Sequence, residues 1–131
     1  PVMGHVGFTP QSVNTLAGYK VQGRTEQDAA RILQECKDIE AAGAFAVVLE
    51  MIPAELAQEI SQKLAIPTIG IGAGADCDGQ ILVWQDFAGL GTRSPKFAKQ
   101  YLNLRQDLSA AATAFRNEVV AGEFPAPEQQ F

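Results

Sequence analysis

Hydrophobic positions along the chain recur with two different periods, and these predict four strands and three helices. Short apolar runs predict strands at residues 1–3, 45–49, 68–71 and 80–84. Apolar residues at helical spacing predict helices over residues 25–42, from 53 to about 66, and over 94–122.

The ends of these helices carry recognisable signals. Thr25 and Asp28 have capping-box spacing at the start of the first helix, and Gly43 is a typical stop at its end. Pro53 is a favoured first residue for the second helix. The tail over residues 123–131 is Pro-rich and is expected to be irregular. The third helix is expected to bury an apolar face that consists of Phe97, Tyr101, Leu108, Ala112, Phe115 and Val119.

The order of these elements predicts the fold class. Apolar strands that do not alternate with polar residues, each followed by a helix, are typical of a parallel sheet covered on its faces, so the class is α/β. A closed barrel of such units needs about 250 residues and eight strand–helix units. The four strands in 131 residues therefore amount to half a barrel. Such a half has exposed edges, and we expect it to need the other half or a partner chain.

Composition and charge narrow the class of function. Ten basic and fifteen acidic residues give a net charge of −5 with no basic run, which argues against a nucleic-acid partner. No apolar run approaches the roughly 20 residues of a membrane span. Cys36 and Cys77 form no Cys-x-x-Cys pair, so neither a disulfide framework nor a zinc site is expected. Because disulfides are typical of secreted proteins, we expect a cytoplasmic location. The chain starts at Pro1 without a signal-like stretch, and we expect it to be a piece of a longer protein.

Two of the four predicted strand ends carry the strongest candidate chemistry. His5, the only histidine, follows the first strand between two glycines, and we expect it to contact substrate; the alternative is local packing in a loop. Glu50 ends an apolar strand just before a helix. A carboxylate there has to be paired, solvated or raised in pKa, and a raised pKa suits a general base. The alternative is that Glu50 caps the following helix.

The other two strand ends carry weaker signals. The run IGIGAG at residues 69–74 would let a ligand approach the backbone, but it lacks the spacing of a dinucleotide or phosphate loop, so a tight turn is favoured. Asp76 and Asp78 offer too few oxygen ligands for a calcium loop and are interpreted as turn residues. Residues 84–86, Trp-Gln-Asp, are expected to end the last strand with polar groups facing the same cleft.

Five longer motifs make the pattern specific. The chain resembles the ketopantoate hydroxymethyltransferase family, also called 3-methyl-2-oxobutanoate hydroxymethyltransferase, over essentially all of residues 1–131, and it resembles only the second half of that enzyme. The motifs are PVMGHVGFTPQS at residues 1–12, GYKVQGR at 18–24, VLEMIPAELA at 48–57, IPTIGIGAG at 66–74 and DGQILV at 78–83. The resemblance implies the C-terminal half of a single (β/α)₈ TIM-barrel domain, with strands 5–8 of the barrel.

The resemblance also implies a reaction and its participants. The family transfers a one-carbon unit from 5,10-methylenetetrahydrofolate to the keto acid α-ketoisovalerate, giving ketopantoate. Glu50 matches the family's proton acceptor, and His5 matches a histidine that contacts the keto acid. The family binds Mg²⁺ through residues of its first half, so no metal ligand is assigned to this chain, and we expect the chain to be inactive without that half. Family members assemble as high-order homo-oligomers, and the third helix is expected to serve subunit contacts.

The sequence departs from the family pattern at two positions, and two alternative functions stay open. Gln85 and Gln129 stand where many members have histidine, which affects expected contacts near the barrel mouth and the tail but not Glu50. One alternative is a non-catalytic α/β module that acts by assembly. Another is a keto-acid lyase or isomerase related to phosphoenolpyruvate mutase, although the basic residues expected of a phosphate site are not evident.

Overall fold

The computed structural model describes residues 1–16 and 18–131, which form two compact units, Pro1–Leu82 and Val83–Phe131. The first unit contains β1 (Met3–Gly7), a 3-10 turn (Pro10–Ser12), α1 (Glu26–Ala41), β2 (Ala46–Glu50), α2 (Ala54–Lys63), β3 (Thr68–Ile71) and β4 (Gly79–Gln80). The second unit contains α3 (Trp84–Phe87), α4 (Leu104–Ala121) and a 3-10 turn (Pro127–Gln129) in the tail. No helix in the part of the chain that the structure describes is long and apolar enough to cross a membrane.

The first unit is a four-stranded parallel sheet with the strands in sequential order, β1-β2-β3-β4. The α/β class predicted from the sequence is therefore confirmed. Because every strand runs in the same direction, all carboxyl ends lie at one edge of the sheet. We refer to this as the carboxyl edge.

The core of the first unit lies between the sheet and α1 and α2. The four residues before Glu50 in β2 are all buried, which explains why this strand shows no alternation of apolar and polar positions. Burial of each large apolar side chain contributes about 1.5–3 kcal/mol. The side chains in this core that are less than 2% exposed include Ile32, Cys36, Val47, Leu49 and Ile60.

The two helices of the first unit lie close to their predicted positions. Thr25 is the N-cap of α1, where its hydroxyl oxygen accepts the Asp28 N–H at 3.2 Å, and the helix ends at Ala41 just before Gly43. Pro53 is the N-cap of α2 rather than its first residue, and the helix ends at Lys63. These ends depend on residues close in sequence, which is why local signals located them.

The predicted first strand, residues 1–3, is wrong in its bounds. β1 instead runs from Met3 through both glycines to Gly7, so His5 lies within a strand and not in a loop after one. Gly4 belongs in this strand because α1 packs against it: a Cβ there would lie 2.5 Å from Ile39 Cγ2. Close approach of a helix, and not a turn, explains the glycine.

The predicted last strand, residues 80–84, is also wrong. β4 has two residues, Gly79 and Gln80, and just beyond them the Ile81 N–H donates to Gly70 O at 3.0 Å. Ile81 and Val83 are about half exposed, and Trp84 opens the short helix α3. The apolar character of residues 80–84 predicted a strand, but the hydrogen-bonded ladder with β3 covers only two residue pairs.

The predicted burial of the third helix is wrong as well. The helix starts at Leu104 and not at residue 94, and none of its residues is buried in the part of the chain that the structure describes. Phe115 is 54% exposed and makes an edge-to-face contact with Phe124, at 5.2 Å between ring centroids. Tyr101, Leu108 and Val119 are likewise exposed. Helical spacing of apolar residues indicates which face needs cover but not whether a neighbouring element provides it.

Candidate active site

The structure brings the two predicted site residues together. In the parallel pairing of β1 with β2, His5 lies opposite Val48 and Gly7 lies opposite Glu50. Residues two apart along a strand share a face, so the side chains of His5 and Glu50 are diagonal neighbours on one side of the sheet. His5 Nε2 lies 3.0 Å from Glu50 Oε2. The result is a histidine–carboxylate pair at the carboxyl edge, built from residues 45 positions apart.

The environment of Glu50 changes its acidity. Its side chain is only 13% exposed, whereas that of His5 is 36% exposed. Burial raises the pKa of the Glu50 carboxyl, and the charge and hydrogen bond of His5 oppose that rise without cancelling it. A carboxyl group with a raised pKa, open to solvent on one side, is suited to accepting a proton near neutral pH.

The alternative role of Glu50 as a helix cap is not observed. Pro53 is the N-cap of α2, and its side chain makes no capping hydrogen bond. The Glu50 carboxylate points to His5 instead. Glu50 therefore keeps its acceptor oxygens for the site and not for the helix that follows.

The backbone around Glu50 is held from both neighbouring strands. The Phe8 N–H donates to Glu50 O at 2.8 Å, and the Met51 N–H donates to Ile71 O at 2.9 Å. Met51 has a φ of 49°, in the left-handed region that non-glycine residues rarely adopt. Such conformations persist where the surrounding structure determines them, and they cluster at functional sites. The chain turns sharply here, directly after the proposed base.

A segment that sequence reasoning did not place at the site also lies beside it. Residues 18–24, which we call the strap, are joined to the residue after Glu50 by a hydrogen bond from Gln22 N–H to Met51 O at 2.9 Å. Asp28 accepts the Gly23 N–H at 2.5 Å, and this bond, followed by the Arg31 guanidinium, lowers the pKa of Asp28. The usable signal was the motif GYKVQGR followed by an acidic residue in the first turn of a helix.

The glycine-rich run and Asp78 after it serve the structure of the sheet. Gly72 and Gly74 have positive φ values of 64° and 84°, in keeping with the predicted tight turn. Asp78 accepts hydrogen bonds from Thr68 N–H at 2.8 Å and from the Thr68 hydroxyl at 3.0 Å, which lowers the pKa of Asp78. Because Thr68 is fully buried, Asp78 satisfies a donor that water does not reach.

The remaining predicted strand end does not exist as such. Residues 84–86 lie in the second unit, where Trp84, Gln85 and Asp86 belong to α3. Their predicted position after the last strand is therefore wrong. The reason is that the strand before them ends at Gln80.

The residues of this chain do not by themselves fit a magnesium site. Mg²⁺ prefers octahedral oxygen coordination and is held in proteins through one or two carboxylates, substrate oxygens and water. Glu50 is one carboxylate, and it is already paired with His5. Within residues 1–16 and 18–131 no three His, Cys, Asp or Glu side chains lie together in a way that would hold a metal ion.

A parallel α/β sheet with a histidine–carboxylate pair at its carboxyl edge has the arrangement typical of α/β proteins whose sites lie at that edge. The sequence profile of the family described as Ketopantoate hydroxymethyltransferase matches residues 1–127. The chain belongs to this family. The resemblance seen in the sequence motifs is thereby confirmed.

Individual relatives agree with the family match. The chain is 56% identical over 131 residues to the 3-methyl-2-oxobutanoate hydroxymethyltransferase of Thermobifida fusca, covering 100% of this chain and 47% of the relative. It is 58% identical over 132 residues to the protein of that name from Paracoccus denitrificans, covering 100% of this chain and 48% of the relative. The chain spans about half the length of the curated relatives it matches.

Proposed function

We propose that the complete protein containing this chain is a 3-methyl-2-oxobutanoate hydroxymethyltransferase. It transfers the one-carbon unit of 5,10-methylenetetrahydrofolate to α-ketoisovalerate, and water supplies the hydroxyl oxygen of the product ketopantoate. Family membership and the names of the relatives support the reaction. The observation that carries the chemistry is the 3.0 Å contact between His5 Nε2 and Glu50 Oε2 at the carboxyl edge.

Glu50 is the proton acceptor in this proposal. The C3–H of α-ketoisovalerate is weakly acidic because the adjacent ketone delocalises the charge left behind, so a positioned base is required. The Glu50 carboxylate takes this proton, and C3 then forms its new bond to the transferred carbon. The two bonds from that carbon to folate nitrogens break in turn, water adds the hydroxyl group, and tetrahydrofolate leaves. Burial favours the protonated carboxyl and so assists the acceptance of the proton.

His5 orients this base and contacts the keto acid. The hydrogen bond between His5 Nε2 and Glu50 Oε2 limits the rotation of the Glu50 carboxylate and leaves its other oxygen for the substrate. His5 is also more exposed than Glu50, which leaves its ring accessible from the cleft. A histidine that holds both the base and the substrate places the C3–H within hydrogen-bonding reach of the carboxylate.

We further propose that the first unit is the arc of strands 5–8 in a (β/α)₈ barrel. Sequential order with all strands parallel is the arrangement that such an arc requires, and it supports the proposal. The other half of the barrel would complete the sheet at β1 and β4, and we expect it to carry the ligands of Mg²⁺. Assembly of whole barrels into a homo-oligomer remains a prediction.

The test of Glu50 uses the full-length enzyme with Glu50→Gln, which preserves size and removes the base. We expect formation of ketopantoate to fall by about 10²–10⁴-fold. Loss of deuterium from C3 of labelled α-ketoisovalerate, followed by NMR without folate, should fall equally because it reports proton abstraction alone. Glu55→Gln is the matched control, since Glu55 is an exposed carboxylate on α2 outside the pair.

The outcomes separate the possible explanations. Activity of Glu50→Gln within a few-fold of the wild type would refute the role of Glu50 as the base. A full-length wild type that forms no ketopantoate would refute the proposed reaction and favour the non-catalytic module. A different product from the same keto acid would favour the lyase or isomerase alternative.

A further inference from the structure

The strap, residues 18–24, is held firmly beside the candidate active site. Gln22 N–H bonds to Met51 O, and the buried Gly23, with a φ of 78°, packs where a Cβ would lie 2.6 Å from Leu56 Cδ2. At the other end of the strap, the ring of Tyr19 lies 5.1 Å from that of the buried Phe8. The Phe8 N–H in turn donates to Glu50 O. Both ends of the strap are thus tied to residues that adjoin Glu50.

The exposed side chains of the strap have a distinct chemistry. Tyr19 is 79% exposed although its ring rests on the buried Phe8, so one aromatic face is open to solvent. Lys20 and Arg24 are also exposed. Within residues 1–16 and 18–131, neither of these two cations takes part in an ion pair, whereas Arg31 and Lys63 both do.

The charge of this part of the chain is opposite to that of the rest. All fifteen acidic residues follow Arg24 in the sequence, the first of them being Glu26. The chain as a whole has a net charge of −5, but residues 1–24 carry Lys20, Arg24 and no carboxylate side chain. A cationic segment beside the site of an acidic protein is suited to attracting an anionic ligand.

An exposed aromatic face and two unpaired cations in the same seven-residue segment fit a ligand that has a ring and carboxylates. Offset ring stacking and charge-assisted hydrogen bonds to carboxylates are the two interactions that these side chains offer. The co-substrate of the proposed reaction has such a portion, an aminobenzoyl ring that continues into one or more glutamates. The keto acid has a carboxylate but no ring, so it matches only half of this chemistry.

We propose that the strap is the binding site for the aminobenzoyl-glutamate portion of the folate co-substrate, with Tyr19 against the ring and Lys20 and Arg24 against the glutamate carboxylates. The proposal rests on the proposed function and names the part of the site that holds its second substrate. The pteridine end of the ligand then lies toward the His5–Glu50 pair. The glutamate tail runs outward along the strap.

The experiment measures equilibrium binding to the full-length enzyme by titration calorimetry. The probes are tetrahydrofolate with one glutamate, tetrahydrofolate with three glutamates, and α-ketoisovalerate. The variants are Lys20→Met with Arg24→Met, and Tyr19→Ser, with Tyr19→Phe as the control that keeps the ring. Lys37→Met is the control for loss of an exposed lysine, because Lys37 lies in the second half of α1, away from its start next to the strap.

The two kinds of variant are expected to differ in a diagnostic way. Loss of Lys20 and Arg24 should weaken binding of the triglutamate form by about three- to tenfold and abolish the wild-type preference for the longer tail. Tyr19→Ser should weaken the binding of the monoglutamate and the triglutamate forms equally, by about two- to tenfold. Folate binding should be unchanged in the control variants Tyr19→Phe and Lys37→Met. The dissociation constant of α-ketoisovalerate should be unchanged in every variant.

Several results would overturn the proposal. Unchanged folate binding in the double variant of Lys20 and Arg24 would refute the role of the strap. Weaker binding of α-ketoisovalerate with unchanged folate binding would also refute it, since the strap would then bind the keto acid. Failure of the proposed function is a different result, seen as wild-type enzyme that makes no ketopantoate. Wild-type enzyme that forms ketopantoate but shows no preference for the longer glutamate tail would refute only the proposed role of the strap.

Discussion

The close approach of β1 to Glu50 leads to a sharp test with two glycines. Gly7 and Gly43 have nearly equal positive φ values of 92° and 90°. Alanine at either position is therefore strained by the backbone conformation, at a cost of about 1–2 kcal/mol. The surroundings differ, however. A Cβ on Gly43 would meet nothing within 4 Å, whereas one on Gly7 would overlap the Glu50 carbonyl oxygen and lie 2.8 Å from Ile52 Cγ2.

The difference between the two variants isolates the effect of that overlap. Forcing an extra methyl group into a packed region costs about 1–3 kcal/mol in addition to the backbone strain. We expect Gly43→Ala to destabilise the protein by about 1–2 kcal/mol and Gly7→Ala by about 2–5 kcal/mol. At about 2–4 °C per kcal/mol, the two thermal midpoints should differ by about 2–12 °C.

The assay is thermal unfolding of the full-length enzyme, with ketopantoate formation measured at a temperature where both variants are folded. Gly7→Ala should lose activity as well as stability, because the atom that has to move belongs to Glu50. Gly43→Ala should keep its activity, since Gly43 lies between α1 and the amino end of β2, whereas Glu50 lies at the carboxyl end of that strand. Equal midpoints for the two variants, or full activity in Gly7→Ala, would refute the packing argument.

Two further predictions follow from buried groups. Cys36 is fully buried, and burial raises the pKa of its thiol to about 12. Iodoacetamide at pH 8 should therefore modify Cys36 only after unfolding in urea, which peptide mass mapping would detect. Rapid modification of the native enzyme would contradict this. Glu50 has a raised pKa when folded, so its contribution to stability is fully present below the ordinary glutamate pKa of about 4.3 and is lost as the pH rises through the raised value. The thermal midpoint of Glu50→Gln relative to wild type should therefore increase from pH 4 to pH 8, and a decrease would contradict the sign of the shift.

Local sequence signals located those features whose causes are local. The start of α1 follows from the Thr25 hydroxyl and the Asp28 N–H, three residues apart. The buried strand before Glu50 follows from an unbroken apolar run with a helix after it. Such capping and periodicity depend on residues within about one turn or one strand, so they are visible without knowledge of the fold.

The site itself was only half visible in the sequence. Glu50 was placed at a strand end and His5 near another, but nothing within either motif shows that their side chains meet at 3.0 Å. That contact depends on the register that sets Gly7 opposite Glu50, which is a property of two strands far apart in the sequence. The strap was missed for the same reason, since its anchor is the carbonyl of Met51.

The sequence by itself determined the α/β class, the order of the elements from β1 to β3, the end of β2 at Glu50 and, through its motifs, the family. Tertiary structure decided the rest. Gly4 and Gly7 lie within a strand because α1 and the Glu50 carbonyl approach them closely, and the apolar face of α4 is exposed because no element of its own unit covers it. A periodic pattern reports what a segment needs from its surroundings, and only the packed chain shows which neighbours meet that need.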